Sequence, residues 1–185
     1  SERITDKTQA EALQAACLTA AHATVKSVER KEKAEKPPAL YDLTTLQREA
    51  NRLLGFTAQQ TLDYLQSLYE KKLATYPRTD SRYLTSDMAG SLPMLVNTTA
   101  KAMPFAEKLT IRCNPAQVID DSKVSDHHAI IPTLGIRETD LSALPAGELA
   151  LLQLISARLL CAVGQPHDYA ETSVVVECAG QEFKA

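Results

Sequence analysis

Tyr76 and Arg78 stand two residues apart in the segment KKLATYPRTDSRYL, which runs from Lys71 to Leu84. The ring of Pro77 between them fixes its own φ and biases Tyr76 toward an extended backbone. In an extended chain residues two apart project to the same side, so a phenol and a guanidinium are presented together. Such a pair suits attack of the phenolic oxygen on phosphorus, with the planar guanidinium gripping the non-bridging oxygens through a two-pronged fork. Taken alone, the same pair is more often a packed tyrosine beside a surface arginine. The window also holds Lys71, Lys72 and Arg82 against the single acid Asp80, although the whole chain carries a net charge of −3. Each of these cations alone is an ordinary surface charge. As a group beside Tyr76 they form a candidate contact patch for a nucleic-acid backbone.

Some fifty residues later comes a second polar cluster with Asp120, Asp121, Asp126, His127 and His128. Adjacent histidines in an extended chain point to opposite faces and rarely share one ion, so no metal site is expected here.

The elements that must position these groups follow from periodicity and caps. Asp6 and Gln9 start a helix with Leu13, Cys17 and Ala20 on one face, and His22 to Glu29 alternates as a strand. The run KEKAEKPP, Lys31 to Pro38, alternates in charge and ends in two prolines, which reads as a solvated connector. Thr44 with Gln47 and Thr57 with Gln60 match capping boxes for two helices. The first buries Leu46, Ala50, Leu53 and Leu54 and stops at Gly55; the second buries Leu62, Leu65, Tyr69 and Leu73. A third helix is expected within Ser86 to Met103, then a long irregular stretch from Pro104 to Thr139. Pro145 opens a helix through Val163, closed by Gly164 and Pro166, and Tyr169 to Cys178 reads as strand. The last residues, GQEFKA, carry no clear signal. A helical block between strands implies a mixed, mainly α fold with flanking β (α+β), in which the chain leaves a β-containing layer and returns to it.

Composition removes several classes. The chain of 185 residues has no apolar window long enough to span a membrane, and no basic-then-apolar leader follows Ser1. Cys17, Cys113, Cys161 and Cys178 are widely spaced without a CxxC pair, which argues for reduced thiols in a cytoplasmic setting.

Longer stretches of sequence narrow the reading. PP upstream of LTTLQREANRLLGF, then QSLYE, TYPRTDSRYL and DHHAIIPT occur in this order. Together they resemble type IA DNA topoisomerases, most of all the bacterial topoisomerase III branch, and the similarity runs on through Leu152 to Leu160 and into TSVVVE. The resemblance implies that Tyr76 is the nucleophile that forms a transient 5′-phosphotyrosine link to single-stranded DNA without ATP. Arg78 would position the scissile phosphate, and His127 would stand near it; His128 occupies a position where other branches carry glutamate and receives no role. Thr79, Asp80 and Ser81 would give local support and strand contact, with Lys71, Lys72 and Arg82 as DNA-backbone contacts.

The same resemblance implies domains at 1–36 and 167–185, both parts of a β-rich arch, around a helical tyrosine domain at 37–166, with a hinge near KEKAEKPP and Gln165. It also implies that Mg²⁺ is held by an N-terminal toprim domain that these residues do not include. The chain is then expected to be a central fragment, monomeric and inactive by itself, of an enzyme that nicks one strand, passes another and reseals. The alternative from a different class is a non-catalytic helical module that binds nucleic acid through Lys71, Lys72, Arg78 and Arg82.

Overall fold

The computed structural model describes residues 4–20 and 22–185; residues 1–3 and 21, which fall in the first expected segment, lie outside them. The chain divides into two units, Ser1–Glu35 with His167–Ala185, and Lys36–Pro166. The architecture is mixed and mainly helical, as the patterns imply, with five α-helices and three strands among the described residues.

The first unit holds helix α1, Lys7–Thr19, capped by the Asp6 side chain, and an antiparallel sheet in the order β1-β2-β3. Strand β1 spans Thr24–Glu35, β2 His167–Cys178 and β3 Gln181–Lys184. One expectation is corrected here. The KEKAE run is strand, not connector: Lys31 to Glu35 pairs with Glu171 to His167. Its alternation of charge is the period-two alternation of a sheet, with Lys33 bonded across the strands to Glu171 at 2.7 Å. After β2, Ala179 and Gly180 both take positive φ (52° and 74°) and make the tight turn that matches strand twist and leads into β3. No described residue of this unit is buried.

Among the described residues, all the buried ones belong to the second unit. Helix α2, Leu43–Leu54, ends at Gly55 in the left-handed conformation, as its sequence implies. Its capping box is Asp42 with Thr45, two residues before the expected Thr44–Gln47 pair; the Asp42 carboxylate accepts from the Thr45 amide at 2.6 Å. This register buries Leu46 and Ala50 and turns Leu53 outward. Helix α3, Ala58–Glu70, starts with the expected Thr57–Gln60 box, but buries Thr61, Leu65 and Leu68, leaving Tyr69 exposed. Helix α4, Leu92–Ala102, starts later than Ser86 because Pro93 belongs in a first turn. Helix α5, Ala146–Ala162, runs through the middle of the core and packs against α2, α3 and α4.

The stretch from Pro104 to Thr139 is ordered by a series of single 3₁₀ turns and by buried Val118, Ala129, Ile130, Ile131 and Ile136. Ile130 pairs with Tyr41, Pro132 with Ala74 and Ile119 with Leu84 in isolated bridges. Among the described residues no helix is long and apolar enough to cross a membrane.

Gly147, in the first turn of α5, allows the closest contact between α3 and α5. A Cβ built there would lie 2.5 Å from Cζ of Tyr64, whose ring is itself held edge-on against Phe56 at 5.2 Å. Helix propensity alone favours alanine over glycine by about 1 kcal/mol. Gly147→Ala is nevertheless expected to destabilise the chain by about 1–3 kcal/mol through overpacking, measured by urea denaturation; a gain in stability would contradict the packing described.

Candidate active site

The Tyr76 segment leaves α3 through a turn in which Lys72 adopts a left-handed φ of 59°. Beyond that turn the chain lies against the segment His127–Thr133. Thr75 makes three bonds to it: its amide donates to the Ile131 carbonyl at 3.0 Å, and its hydroxyl accepts from the Ile131 amide at 3.0 Å. The same hydroxyl donates to the Ala129 carbonyl at 3.1 Å. On the far side of Tyr76, the Thr79 hydroxyl donates to the His127 carbonyl at 2.8 Å. The chain on both sides of Tyr76 is thus tied to the chain just after and at His127.

The consequence is contact between the two rings. Tyr76 and His127 lie 4.1 Å apart between centroids with a tilt of 33°. Tyr69, expected in the core, is exposed and meets the Tyr76 ring edge-on at 5.5 Å. Tyr76 is half-buried between them, while His127 and Arg78 are exposed. Arg78 has no hydrogen bond or ion pair with another described residue, so its fork faces solvent. His128 turns its Nδ1 to the Ala129 carbonyl at 2.8 Å.

The remaining expected site residues separate into two groups. Thr79 and Ser81 are buried, and their hydroxyls are used internally. The Ser81 amide donates to the Thr79 hydroxyl at 3.1 Å, and the Ser81 hydroxyl donates to the Lys123 carbonyl at 2.8 Å. Of the two roles expected for them, local support is the one this geometry displays. Lys71 is also engaged: its ammonium pairs with the buried Glu148 carboxylate at 2.5 Å and accompanies Ser67. Arg82 donates from Nε to the Leu40 carbonyl at 3.1 Å. Lys72 and Asp80 remain exposed.

Asp120 is held below the usual carboxylate range, first by the Ser122 hydroxyl and then by the Lys123 ammonium. Lys123 bonds Asp120 at 2.9 Å and lies 4.4 Å above the Tyr83 ring. Among the described residues no group of three or more His, Cys, Asp or Glu converges as a metal site.

Residues 1–185 match, over their whole length, the family model described as DNA topoisomerase. The chain belongs to the DNA topoisomerase family. It is similar to DNA topoisomerase 3 of Bacillus cereus (strain ATCC 14579), with 41% identity over 170 residues, covering 89% of this chain and 23% of that protein. DNA topoisomerase 3 of Bacillus subtilis (strain 168) is 42% identical over 174 residues, covering 91% of this chain and 24% of the relative. Full-length topoisomerase I from Thermotoga maritima superposes with a TM-score of 0.68 at 25% identity, over 100% of this chain and 30% of that one. The topoisomerase chain described here thus spans about a quarter of the length of these topoisomerase 3 relatives. These matches place it among the type IA topoisomerases, with relatives in the topoisomerase 3 branch.

Sequence reasoning missed Thr75 and Tyr69 as parts of this site. The adjacency of Thr75 to Tyr76 was the signal available for the first. Tyr69 lies in the last turn of α3, and its spacing from Leu62 and Leu65 fits a core stripe equally well. Thr79→Val keeps the side-chain volume and removes the hydroxyl that holds the His127 carbonyl. It is expected to cost about 1–2 kcal/mol and to shift the Tyr76 and His127 ring resonances in NMR spectra. Unchanged stability and unchanged ring shifts would show that the Thr79 bond does not hold the pair.

Proposed function

We propose that this chain supplies the nucleophile and phosphate clamp of a type IA topoisomerase that breaks and rejoins single-stranded DNA without ATP. The observation that supports this reading best is the tethered contact of Tyr76 with His127 beside the unpaired, solvent-facing Arg78. Tyr76 Oη attacks the scissile phosphorus and the bond from phosphorus to the 3′-oxygen breaks. The phenolic proton passes to a base, the departing 3′-oxygen takes up a proton, and a 5′-phosphotyrosine and a 3′-hydroxyl result. Because one phosphodiester is exchanged for another, resealing is the same step run backwards and needs no energy source.

Arg78 binds the non-bridging oxygens, where its fork stabilises the negative charge that gathers in the transition state. His127, packed on the Tyr76 ring, restricts the phenol to one face and presents an imidazole beside the phosphate. Thr75, Thr79 and Ser81 position both rings from below. The helical unit Lys36–Pro166 acts as the moving gate of the arch, and Lys36–Pro38, which no strand pairing holds, is the natural hinge on its entry side. Lys72, Asp80 and Arg82 contact the strand at the surface. Lys71 is paired with Glu148, which leaves the alternative of a non-catalytic module built on Lys71, Lys72, Arg78 and Arg82 with three of its four cations.

Acidic residues that bind Mg²⁺ belong, on this reading, to a toprim domain outside these 185 residues, in a cytoplasmic and monomeric enzyme. The isolated chain then forms no adduct. The test uses the complete protein, labelled single-stranded DNA and Mg²⁺, followed by denaturing electrophoresis. The unaltered protein is expected to form a covalent adduct, Tyr76→Phe none, and Arg78→Ala about 10²–10³-fold less with unchanged folding. An adduct that survives Tyr76→Phe would sink the assignment.

A further inference from the structure

Cations converge at a second place in the helical unit. Thr45, Arg48, Glu49 and Arg52 occupy positions i, i+3, i+4 and i+7 of α2 and so share one face. Arg82, from the segment after Tyr76, and Arg158, from α5, complete the lining of a cleft of about 360 Å³. Four guanidinium groups thus surround a single carboxylate. Glu49 pairs with Arg158 and lies 3.5 Å from Arg52. Arg158 is further fixed by the Ala39 carbonyl at 3.1 Å and the Tyr41 hydroxyl at 3.2 Å, and sits 4.2 Å above the Tyr41 ring. It is therefore scaffold. Arg82 uses only its Nε, on the Leu40 carbonyl. Neither its two terminal nitrogens nor any nitrogen of Arg48 has a hydrogen-bond partner among the described residues.

Like charges gathered on a cleft repel one another, and Glu49, the one acid of the lining, is already taken by Arg158 and Arg52, which leaves Arg48 and Arg82 without a carboxylate partner there. The cations are all arginine, whose fork matches the oxygens of a phosphate. Arg82 is four residues beyond Arg78, so their Cα atoms are at most about 14 Å apart. The cleft therefore begins within reach of the phosphate site at Tyr76, which favours a continuous polyanion over an isolated one.

We propose that Arg48, Arg52 and Arg82 form a second backbone-phosphate subsite, which takes a phosphodiester of the same DNA strand that reaches Tyr76. Glu49 and Arg158 lock the face of α2 that presents it. This inference rests on the reading of Tyr76 as a DNA-cleaving residue and extends the strand's path past Arg82 onto α2.

The test is the salt dependence of binding of a fluorescent oligothymidylate to the 185-residue chain, by anisotropy. Arg48→Gln/Arg52→Gln replaces two exposed side chains and is expected to leave the thermal midpoint unchanged. It should weaken binding about tenfold and lower the slope of log K against log salt by about 0.7 for each phosphate that is no longer neutralised. A slope and affinity equal to those of the unaltered chain would overturn the subsite, as would failure of the unaltered chain to bind at low salt. Loss of inorganic-phosphate binding with oligothymidylate binding intact would also overturn it and assign the cleft to a free anion. A reduced slope in Arg78→Gln alone would remove the cleft and keep the Tyr76 site, whereas a missing adduct in the complete protein would remove the Tyr76 reading and leave this binding result standing.

Discussion

The hydroxyl of Thr75 accepts from the amide of Ile131 and donates to the carbonyl of Ala129, while its own amide bonds the Ile131 carbonyl. A hydroxyl has one proton and two lone pairs, and here it completes a short antiparallel contact that two irregular segments alone would leave unsatisfied. Net hydrogen-bond energies are modest, about 1 kcal/mol each, but an unmade buried bond costs more than a made one contributes. The pairing is therefore selected by its alternatives. It places Tyr76 immediately after one anchored residue and His127 just before the other, and the Thr79 bond to the His127 carbonyl closes the loop.

The helical core serves that pairing. Leu73 and Ala74 on one strand and Ala129, Ile130 and Ile131 on the other are fully or almost fully buried, so slipping the register would expose apolar side chains at about 25 cal/mol for each Å² uncovered. The Tyr41–Ile130 bridge ties the start of α2 to the same strand, and the Leu43 amide bonds the Thr79 carbonyl at 3.1 Å. The Tyr76 segment and the arginine face of α2 thus belong to one hydrogen-bonded system. Rigidity is what a phenol needs if it is to meet a phosphorus atom repeatedly in cycles of breakage and resealing, because misplacement of the reacting groups is penalised steeply.

How much of this was legible depended on distance along the chain. Local chemistry was readable: the Thr57–Gln60 box, the Gly55 stop and the proline-opened α5. Competing local signals misled. Asp42 and Thr44 both qualify as caps, and the choice rests on which carboxylate or hydroxyl reaches an amide. Lys31 to Glu35 resembles a solvated run until its partner, more than 130 residues on, supplies Glu171. Tyr69 and Leu65 share a helix face by spacing, yet one packs inward and the other against Tyr76. The Arg82–Arg158 convergence was not visible at all, since only the fold brings α5 to α2. The motifs that matched the family pointed to the site, and the physical reading explains why those positions meet.

The central claim is that this geometry selects Tyr76, and not its ring neighbour Tyr69, as the group that attacks DNA. Peptide mapping of the covalent adduct by mass spectrometry, after nuclease and protease digestion of the complete protein trapped on single-stranded DNA, tests it directly. The account predicts a nucleotide remnant on the peptide containing Tyr76 and on the Tyr76 oxygen itself. A remnant on Tyr69, on Tyr83 or on any residue outside the Lys71–Leu84 segment would contradict it.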